Sequence, residues 1–565
     1  MPGDNINRVL AQLDESKNRF DEVGARRTEA VLRRVKQLQF NTADALIRFH
    51  EILLFLRAYP QSSRIAQLSE SLLHDFGARV QLLVKHGADI SSLNSVEVSG
   101  IVGTAVTDTF SYFIVSWLLL RHPRQIEFYW EWFEDPNRLG ATWPRFMPLI
   151  EEDAQVEANV FYRDWLRAAR DGERELPWLI TRFQRMVATV EEQAELYDGL
   201  RLYVRWRPGY RASRTGMRLP VRRLFFHRNP LIQRRDVRFR EVLQSVAPEL
   251  VRLNASQGER ILDMARETST VRYRELYGFT HGDPKRVWRA SIGRGVDIFL
   301  MGVPAEKRLP LRAYHAALIF KNGVPVGYFE GLSLFERMES GFNMYYTFRE
   351  GETAWLYART LNMFRHLLGV TAFSIDPYQI GYENEEGIES GAFWFYRKLG
   401  FRPMTAALLK LTLNEERRIS QRSSYRTSAK TLRKLAEGPM ILELEQSRSG
   451  DWDRFQIRRI GLAVQRLMAQ RYMGDSARMR REAGERLARV LGLGGKDLAP
   501  YESRIWSDFA VALALIPNLN QWSKRDKSTL KQLISAKAGV NEVRYLKSMQ
   551  RHERLRREFI RLGNL

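Results

Sequence analysis

Cysteine is absent from this sequence of 565 residues. Disulfide bonds, thiolate metal sites and cysteine nucleophiles are therefore excluded, and the absence suits a reducing compartment. The N-terminal residues also lack the succession of basic, apolar and small residues that a secretory signal requires. We therefore expect a cytoplasmic protein.

Long apolar runs without charge are absent as well. The most apolar stretch, residues 100–120, is long enough to cross a bilayer but contains Asp108 and five Ser or Thr residues. A carboxylate in the hydrocarbon layer is costly. We predict a buried core helix in this stretch and expect no membrane span.

Several catalytic motifs are missing too. The sequence contains no HExxH zinc motif, no GxSxG nucleophile elbow and no Walker phosphate loop. Each of these motifs places a metal ligand, a nucleophile or phosphate donors at a fixed spacing. We therefore predict no metal site, and neither serine-hydrolase nor P-loop chemistry.

Positive charge is what the sequence has in excess. The net charge is +23, and residues 201–240 contain thirteen Arg, no Lys and one acid, Asp236. Arginine recognises phosphate and carboxylate groups through two parallel hydrogen bonds. This segment predicts a surface for a polyanion such as nucleic acid or tRNA, or for an anionic headgroup. The alternatives are pairing with acidic groups of the protein itself or a solvated linker.

Length and pattern divide the chain into several parts, since a single core rarely exceeds about 250 residues. Helical periodicity dominates the first part and returns in the last, whose residues 521–565 carry twelve basic and four acidic side chains. The predicted parts are a helical N-terminal domain (1–200), an Arg-rich connecting segment (201–269), an α/β domain (270–415) and a helical basic C-terminal region (416–565).

The pattern changes in the α/β domain, where short apolar runs alternate with glycines. Asn322-Gly323 lies between two apolar runs and predicts a β-hairpin. The elements predicted after this hairpin are a strand (341–348), a helix ending at Gly369, a strand (370–376), a helix ending at Gly400 and a strand (405–413). The chain is therefore predicted to be a multidomain α+β protein with a central mixed sheet and flanking helices.

The stretch ESGAFWFYRKLGFRPM, residues 389–404, places an aromatic-rich helix between two predicted strands. Together with VPVGYFEG and GFNMYYTFREGETAWLY, it resembles the GNAT acyltransferase superfamily over about residues 270–415. The resemblance implies an acyl-CoA donor, an amine acceptor, and a pyrophosphate held at a helix N-terminus. A helix N-terminus suits an anion because its amides are unpaired and its dipole is favourable.

The resemblance also assigns candidate site residues. Tyr396 matches the tyrosine that protonates the departing thiolate, and Glu330 lies where such enzymes place the base that deprotonates the amine. His315 and Asp376 are weaker candidates for the base. The residues that match the cofactor-binding loop are Arg349, Gly351, Glu352, Thr353 and Ala354.

The sequence departs from the family pattern in two places. Glu389 replaces the usual asparagine, and Glu350 and Glu352 add negative charge where a pyrophosphate would bind. A charged tRNA, the donor of GNAT-like aminoacyl transferases, is therefore kept as an alternative donor. The alternative to an enzyme is a noncatalytic GNAT-like scaffold whose Arg-rich surface binds nucleic acid or another polyanion.

Overall fold

The computed structural model describes residues 2–135, 137–140, 142–145, 147, 162–445, 448–493 and 500–564. The protein is α+β with a large mixed sheet, and its chain divides into two compact units. The first unit comprises Met1–Leu231, Glu259–Thr280 and Phe320–Val326, and the second comprises Ile232–Gly258, His281–Ile319 and Gly327–Leu565. The multidomain α+β prediction is confirmed at this level.

Helices make up most of the described structure. In chain order the α-helices of the described residues are α1 (Pro2–Lys17), α2 (Glu22–Val35), α3 (Ala43–Ala58), α4 (Ser63–His74), α5 (Phe76–Lys85), α6 (Tyr112–Arg121), α7 (Asn137–Gly140), α8 (Tyr162–Ala169), α9 (Glu175–Gln184), α10 (Val190–Leu200), α11 (Phe239–Gln244), α12 (Ala255–Thr270), α13 (Tyr277–Thr280), α14 (Thr353–Leu368), α15 (Glu385–Glu389), α16 (Ala392–Lys398), α17 (Ala406–Gln421), α18 (Ala429–Leu435), α19 (Ile457–Tyr472), α20 (Ser476–Leu491), α21 (Pro500–Leu513), α22 (Lys524–Lys537), α23 (Glu542–Gln550) and α24 (Glu553–Asn564).

The strands form two sheets. In chain order the strands of the described residues are β1 (Val106–Asp108), β2 (Ile126–Phe128), β3 (Val204–Trp206), β4 (Leu250–Arg252), β5 (Val287–Gly293), β6 (Val296–Met301), β7 (Ala313–Lys321), β8 (Val324–Leu334), β9 (Arg337–Met344), β10 (Ala372–Ile375), β11 (Arg402–Pro403) and β12 (Met440–Glu443).

The first unit is not all-helical, so that part of the prediction is wrong. After α1 to α5, three short strands form an antiparallel sheet in the order β1-β3-β2, and Trp206 of β3 pairs with both Val106 and Ile126. Trp206 is fully buried in the core of this unit. Strands of three residues have no visible periodicity, and this explains why the sequence did not predict them.

The apolar stretch 100–120 does not form one helix, although its second half is helical and buried as predicted. Gly100 and Gly103 adopt φ of 80° and 90°, which interrupts a right-handed helix, and β1 follows. Helix α6 begins only after Ser111, whose hydroxyl accepts a hydrogen bond from the amide of Ile114. Among the described residues, no helix is both long enough and apolar enough to cross a bilayer.

The large sheet has the order β11-β12-β10-β9-β8-β7-β6-β5-β4. Strands β9 and β10 are parallel, whereas β8 and β9 are antiparallel, so the sheet is mixed. The hairpin predicted at Asn322-Gly323 is confirmed: it joins β7 to β8, and the two residues adopt φ of 49° and 80°. Positive φ at both central residues is typical of the two-residue turns that join twisted strands.

Two predicted elements near the end of this sheet are wrong. Residues 406–413 lie in helix α17 rather than in a strand, because Thr405 caps the amide of Leu408 and the alanines and leucines that follow favour a helix. The C-terminal region is not all-helical, since its strand β12 pairs antiparallel with β10, with Ile375 opposite Met440. A strand of four residues is too short for its periodicity to be recognised.

The turn between β8 and β9 connects the sheet to the C-terminal helices through Glu336. Its buried carboxylate accepts hydrogen bonds from the Arg556 guanidinium, with Nε at 2.9 Å, and from the indole Nε1 of Trp452, also at 2.9 Å. Arg556 lies on α24, and its Nη1 also contacts Asp451 at 2.8 Å. A buried ion pair with several hydrogen bonds is costly to break from one side.

We predict that Glu336→Gln lowers the free energy of unfolding by about 3 kcal/mol, because Arg556 stays buried with only Asp451 as its anion. Urea unfolding measures the loss. Glu339→Gln is the matched control, since its carboxylate pairs with Arg312 at 3.4 Å and its side chain is 29% exposed. The control should lose less than about 1 kcal/mol. Equal losses in the two variants would contradict a structural role for Glu336.

Candidate functional site

Strands β9 and β10 are paired over only part of their length. Their parallel ladder joins Arg337 to Ala372 and Glu339 to Ser374, whereas β9 continues to Met344 and β10 ends at Ile375. The last five residues of β9 therefore pair with β8 alone. Ser340 is the first residue beyond the ladder, and its hydroxyl contacts the backbone oxygen of Ser374 at 3.4 Å.

Helix α14 begins shortly after β9 and presents free amide groups at its N-terminus. The amide of Leu356 bonds to the oxygen of Glu352, but those of Thr353, Ala354 and Trp355 have no partner among the described residues. Unpaired amides and the positive end of the helix dipole favour an anion at this place.

Glu352 does not cap these amides, although it directly precedes them. Its side chain is fully buried, bonds to the Arg294 guanidinium, and accepts a hydrogen bond from the amide of Ile232 at 3.2 Å. The positive charge of Arg294 therefore offsets the carboxylate that the sequence places at this helix N-terminus. Glu350, the other acid of the loop, is exposed.

Arg349 and Gly351 have partners within this loop. Arg349 pairs with Glu386, and its Nε lies 3.4 Å from the oxygen of Met344. The amide of Gly351 donates to the oxygen of Phe348, and the hydroxyl of Thr353 donates to the oxygen of Arg349 at 3.1 Å. These bonds fix the loop immediately before α14.

Tyr396 lies on α16 in an aromatic cluster against α14. Its ring meets those of Tyr357 and Phe401 edge to face, with centroids 5.7 Å apart in both pairs. Burial raises the pKa of Tyr396, so its phenol keeps its proton. The hydroxyl of Tyr357 lies 2.8 Å from that of Ser340, which connects the cluster to the place where β9 and β10 separate.

Glu330 lies on β8, opposite Gly341 of β9. The hydroxyl of Tyr314 donates a hydrogen bond to its carboxylate. Burial raises the pKa of Glu330, and the hydrogen bond from Tyr314 partly opposes this effect. A carboxylate with a raised pKa is a stronger base once it is ionised.

The structure does not bring Glu330 and Tyr396 into contact. Phe329, the residue before Glu330, stacks on Phe364 of α14 with centroids 4.8 Å apart. Because successive side chains of a strand point to opposite faces, Glu330 lies on the face away from α14. Tyr396 packs against Tyr357 of α14, so the two residues lie on opposite faces of the sheet.

Three cations come together near the end of α16. Arg234 follows Ile232, whose amide bonds to Glu352, and Arg426 precedes Thr427, whose hydroxyl accepts a bond from Trp394 of α16 at 3.2 Å. Partial burial and the nearby Arg234 and Arg426 lower the pKa of Lys398. Among the described residues, none of the three cations has a carboxylate partner.

Several arginines of the Arg-rich segment pair with acidic side chains of the protein itself. Five of its thirteen arginines, counted from the sequence, form ion pairs in the described structure: Arg207, Arg214, Arg218, Arg235 and Arg238. Arg205 lies over the ring of Tyr129 at 3.5 Å instead. Binding of a polyanion by residues 201–240 stays a prediction.

The two weaker candidates for the base occupy other positions. Asp376 caps the turn after β10 through the amide of Tyr378, at 2.9 Å. His315 is buried on β7 with its ring 6.1 Å from that of Phe364, so it faces α14 and lies on the side opposite Glu330. The described residues contain no group of three or more side chains able to hold a metal ion.

Sequence reasoning missed three residues that the structure places at the site. Tyr314 holds the carboxylate of Glu330, and Ser340 and Tyr357 join the aromatic cluster to the sheet. Cross-strand register and side-chain direction identify such partners, and neither can be read from a single sequence.

Comparison with known proteins adds no relative: no family model, no curated protein and no solved structure matches this chain. The GNAT resemblance therefore depends on the residues quoted for it.

His315 provides a test of the burial of this region. Burial lowers its pKa to about 4, although nearby Glu542 opposes the shift. As the pH falls from 6.5 to 4, His315 is protonated in the unfolded chain but stays neutral in the folded chain. The folded state therefore loses stability relative to the unfolded state.

We predict that His315→Leu does not suffer this loss. The free energy of unfolding of the variant minus that of the original protein should increase by about 1.4 kcal/mol for each pH unit of the fall, or about 3 kcal/mol in all. Urea unfolding at a series of pH values measures the difference. A difference that does not change with pH would mean that His315 is accessible to solvent protons in the folded state.

Proposed function

We propose that the protein is a GNAT-like N-acyltransferase that moves an acyl group from acyl-CoA to an amine. The observation that carries the proposal is the separation of β9 from β10 beside the free N-terminus of α14. The GNAT resemblance implies a pantetheine arm between two such strands and a pyrophosphate on the helix that follows. The acceptor stays unidentified.

The local charge supports an anionic cofactor. Glu352 is neutralised by Arg294 and turned away from the amides of Thr353, Ala354 and Trp355. The cation cluster of Arg234, Lys398 and Arg426 suits the remaining phosphate of CoA, because cations without carboxylate partners attract phosphate strongly.

The proposed chemistry is direct attack. Glu330 takes a proton from the acceptor ammonium, and the neutral amine attacks the thioester carbonyl carbon. The carbon–nitrogen bond forms as the carbon–sulfur bond breaks, and Tyr396 donates its phenolic proton to the departing thiolate. The second proton that the nitrogen loses as the amide forms restores the phenol of Tyr396. A thioester lying in the gap between β9 and β10 would have Glu330 on one side and Tyr396 on the other.

Gly351 offers a sharp test of the cofactor site. An aspartate just before α14 is favourable for the helix dipole, so Gly351→Asp should fold, but its charge repels a pyrophosphate. We predict that the protein binds acetyl-CoA in a calorimetric titration and that Gly351→Asp binds it at least about tenfold more weakly.

Gly351→Asn is the matched control, because it has the same size and no charge. The control should bind acetyl-CoA nearly as well as the original protein does. Equal weakening in both variants would assign the effect to shape, and no binding by the original protein would remove acyl-CoA as the donor and leave charged tRNA to be tested.

Tyr396 provides a separate test of the chemistry. We predict that Tyr396→Phe, which keeps the ring contacts with Tyr357 and Phe401, lowers turnover about a hundredfold and leaves acetyl-CoA binding unchanged. Release of free thiol from acetyl-CoA, measured with a panel of primary amines, gives the rate. Tyr357→Phe is the control and should lose less, and the reverse order would assign the acid to Tyr357.

Binding of a polyanion through residues 201–240 does not enter this proposal. The arginines of this segment that are exposed and lack a carboxylate partner among the described residues are the side chains on which such binding would depend: Arg201, Arg211, Arg222, Arg223, Arg228 and Arg240.

A further inference from the structure

A cavity lies in the second unit, beside the N-terminal end of α23 and the C-terminal end of α14. Its volume is about 140 Å³. Its wall is largely apolar, and the apolar residues on it include Leu250, Trp288, Leu300, Val303, Leu367 and Val543. An apolar cavity of about this size holds a molecule as large as benzene.

This cavity is separate from the proposed pyrophosphate position at the N-terminus of α14, although Tyr314, whose hydroxyl donates to Glu330, also lies on its wall. Leu367 on its wall is fourteen residues after Thr353 along α14, as counted in the sequence. At 1.5 Å per residue, the two positions are about 20 Å apart along the helix axis. The pyrophosphate of an acyl-CoA bound at the N-terminus of α14 would therefore not occupy this cavity.

Positive charge exceeds negative charge around the cavity. Arg308 lies on the wall, 3% exposed, and bonds to the backbone oxygens of Lys537 and Val540. Glu542, also on the wall, pairs with Lys537 and accepts a bond from the amide of Tyr314 at 3.2 Å. Glu542 is therefore the partner of Lys537, whereas among the described residues Arg308 has no ion-pair partner.

Two polar atoms of the wall residues have no hydrogen-bond partner in the described structure. They are Nε of Arg308 and Nδ1 of His315, whose side chain is also more than nine-tenths buried. A buried polar atom without a partner is rare and costly, so a bound group that supplies hydrogen bonds is expected at such a place. The other wall charge, Arg286, already pairs with Asp283 at 2.9 Å.

We propose that this cavity binds a small monocarboxylate with an apolar body, such as an aromatic or short-chain carboxylic acid. The carboxylate lies against Nε of Arg308 and the ring of His315, and it gives Arg308 an ion-pair partner. The apolar body occupies the space between Trp288, Leu300 and Leu367. A ligand with one charged end and one apolar end matches both properties of the wall.

Benzoate is the probe, and benzamide is its neutral analogue of nearly the same shape. We expect saturable binding of benzoate to the protein in a calorimetric titration and a rise in its thermal unfolding midpoint. Benzamide should bind at least about tenfold more weakly, because a bond to a charged partner is stronger than a neutral one. Equal affinities would overturn the predicted carboxylate, and no binding of benzoate at millimolar concentration would overturn the site.

Val543→Phe tests the location. Val543 is partly exposed, so the larger ring can enter the cavity without a change in the core, and benzoate binding should be lost. Val540→Phe is the matched control, because Val540 is 72% exposed and its side chain is not part of the wall. Benzoate binding that survives Val543→Phe, or that is lost in both variants, would overturn the assignment to this cavity.

Discussion

Glu336 holds two parts of the second unit in place. Its carboxylate binds Arg556 of α24, and its backbone oxygen accepts hydrogen bonds from the amides of Thr371 and Ala372 at the start of β10. Phe335, directly before it, adopts φ of 53°, a conformation that costs a bulky residue about 1 kcal/mol or more. Burial of the Phe335 ring against Phe559 of α24 offsets this strain energy. One turn therefore fixes both the C-terminal helices and the position of β10.

The position of β10 determines the candidate site. Because β10 begins opposite the first residue of β9, its four residues end long before β9 does, and the last five residues of β9 are paired on one side only. The opening therefore results from a difference in strand length under a fixed register. Ser340 and Tyr357 lie where the ladder ends, and the α14 amides follow the longer strand. A shift of β10 by one residue would reverse the direction of every side chain on it.

The sequence predicted those elements whose signals are local. The Asn322-Gly323 turn, helix α14 with its end at Gly369 (φ 74°) and the aromatic helix α16 all follow from turn, cap and period rules. Strands β3 and β12 were missed because their pairing depends on partners far away in the chain. At the site, the candidate residues themselves could be named. Their partners could not, because a single sequence does not reveal which side chain neutralises Glu352 or holds Glu330.

The high net charge is a weaker guide to function than the partners of each cation. Arg214 is almost fully buried and bonds to Glu51, so it contributes to the net charge but offers nothing to a ligand. Arginine suits such places because it stays protonated when buried and donates several bonds in one plane. The sequence alone therefore does not distinguish an arginine that stabilises the fold from an arginine that binds a ligand. Unlike Arg214, Arg308 lines a cavity and has no carboxylate partner among the described residues, and this difference makes it a candidate for a bound anion.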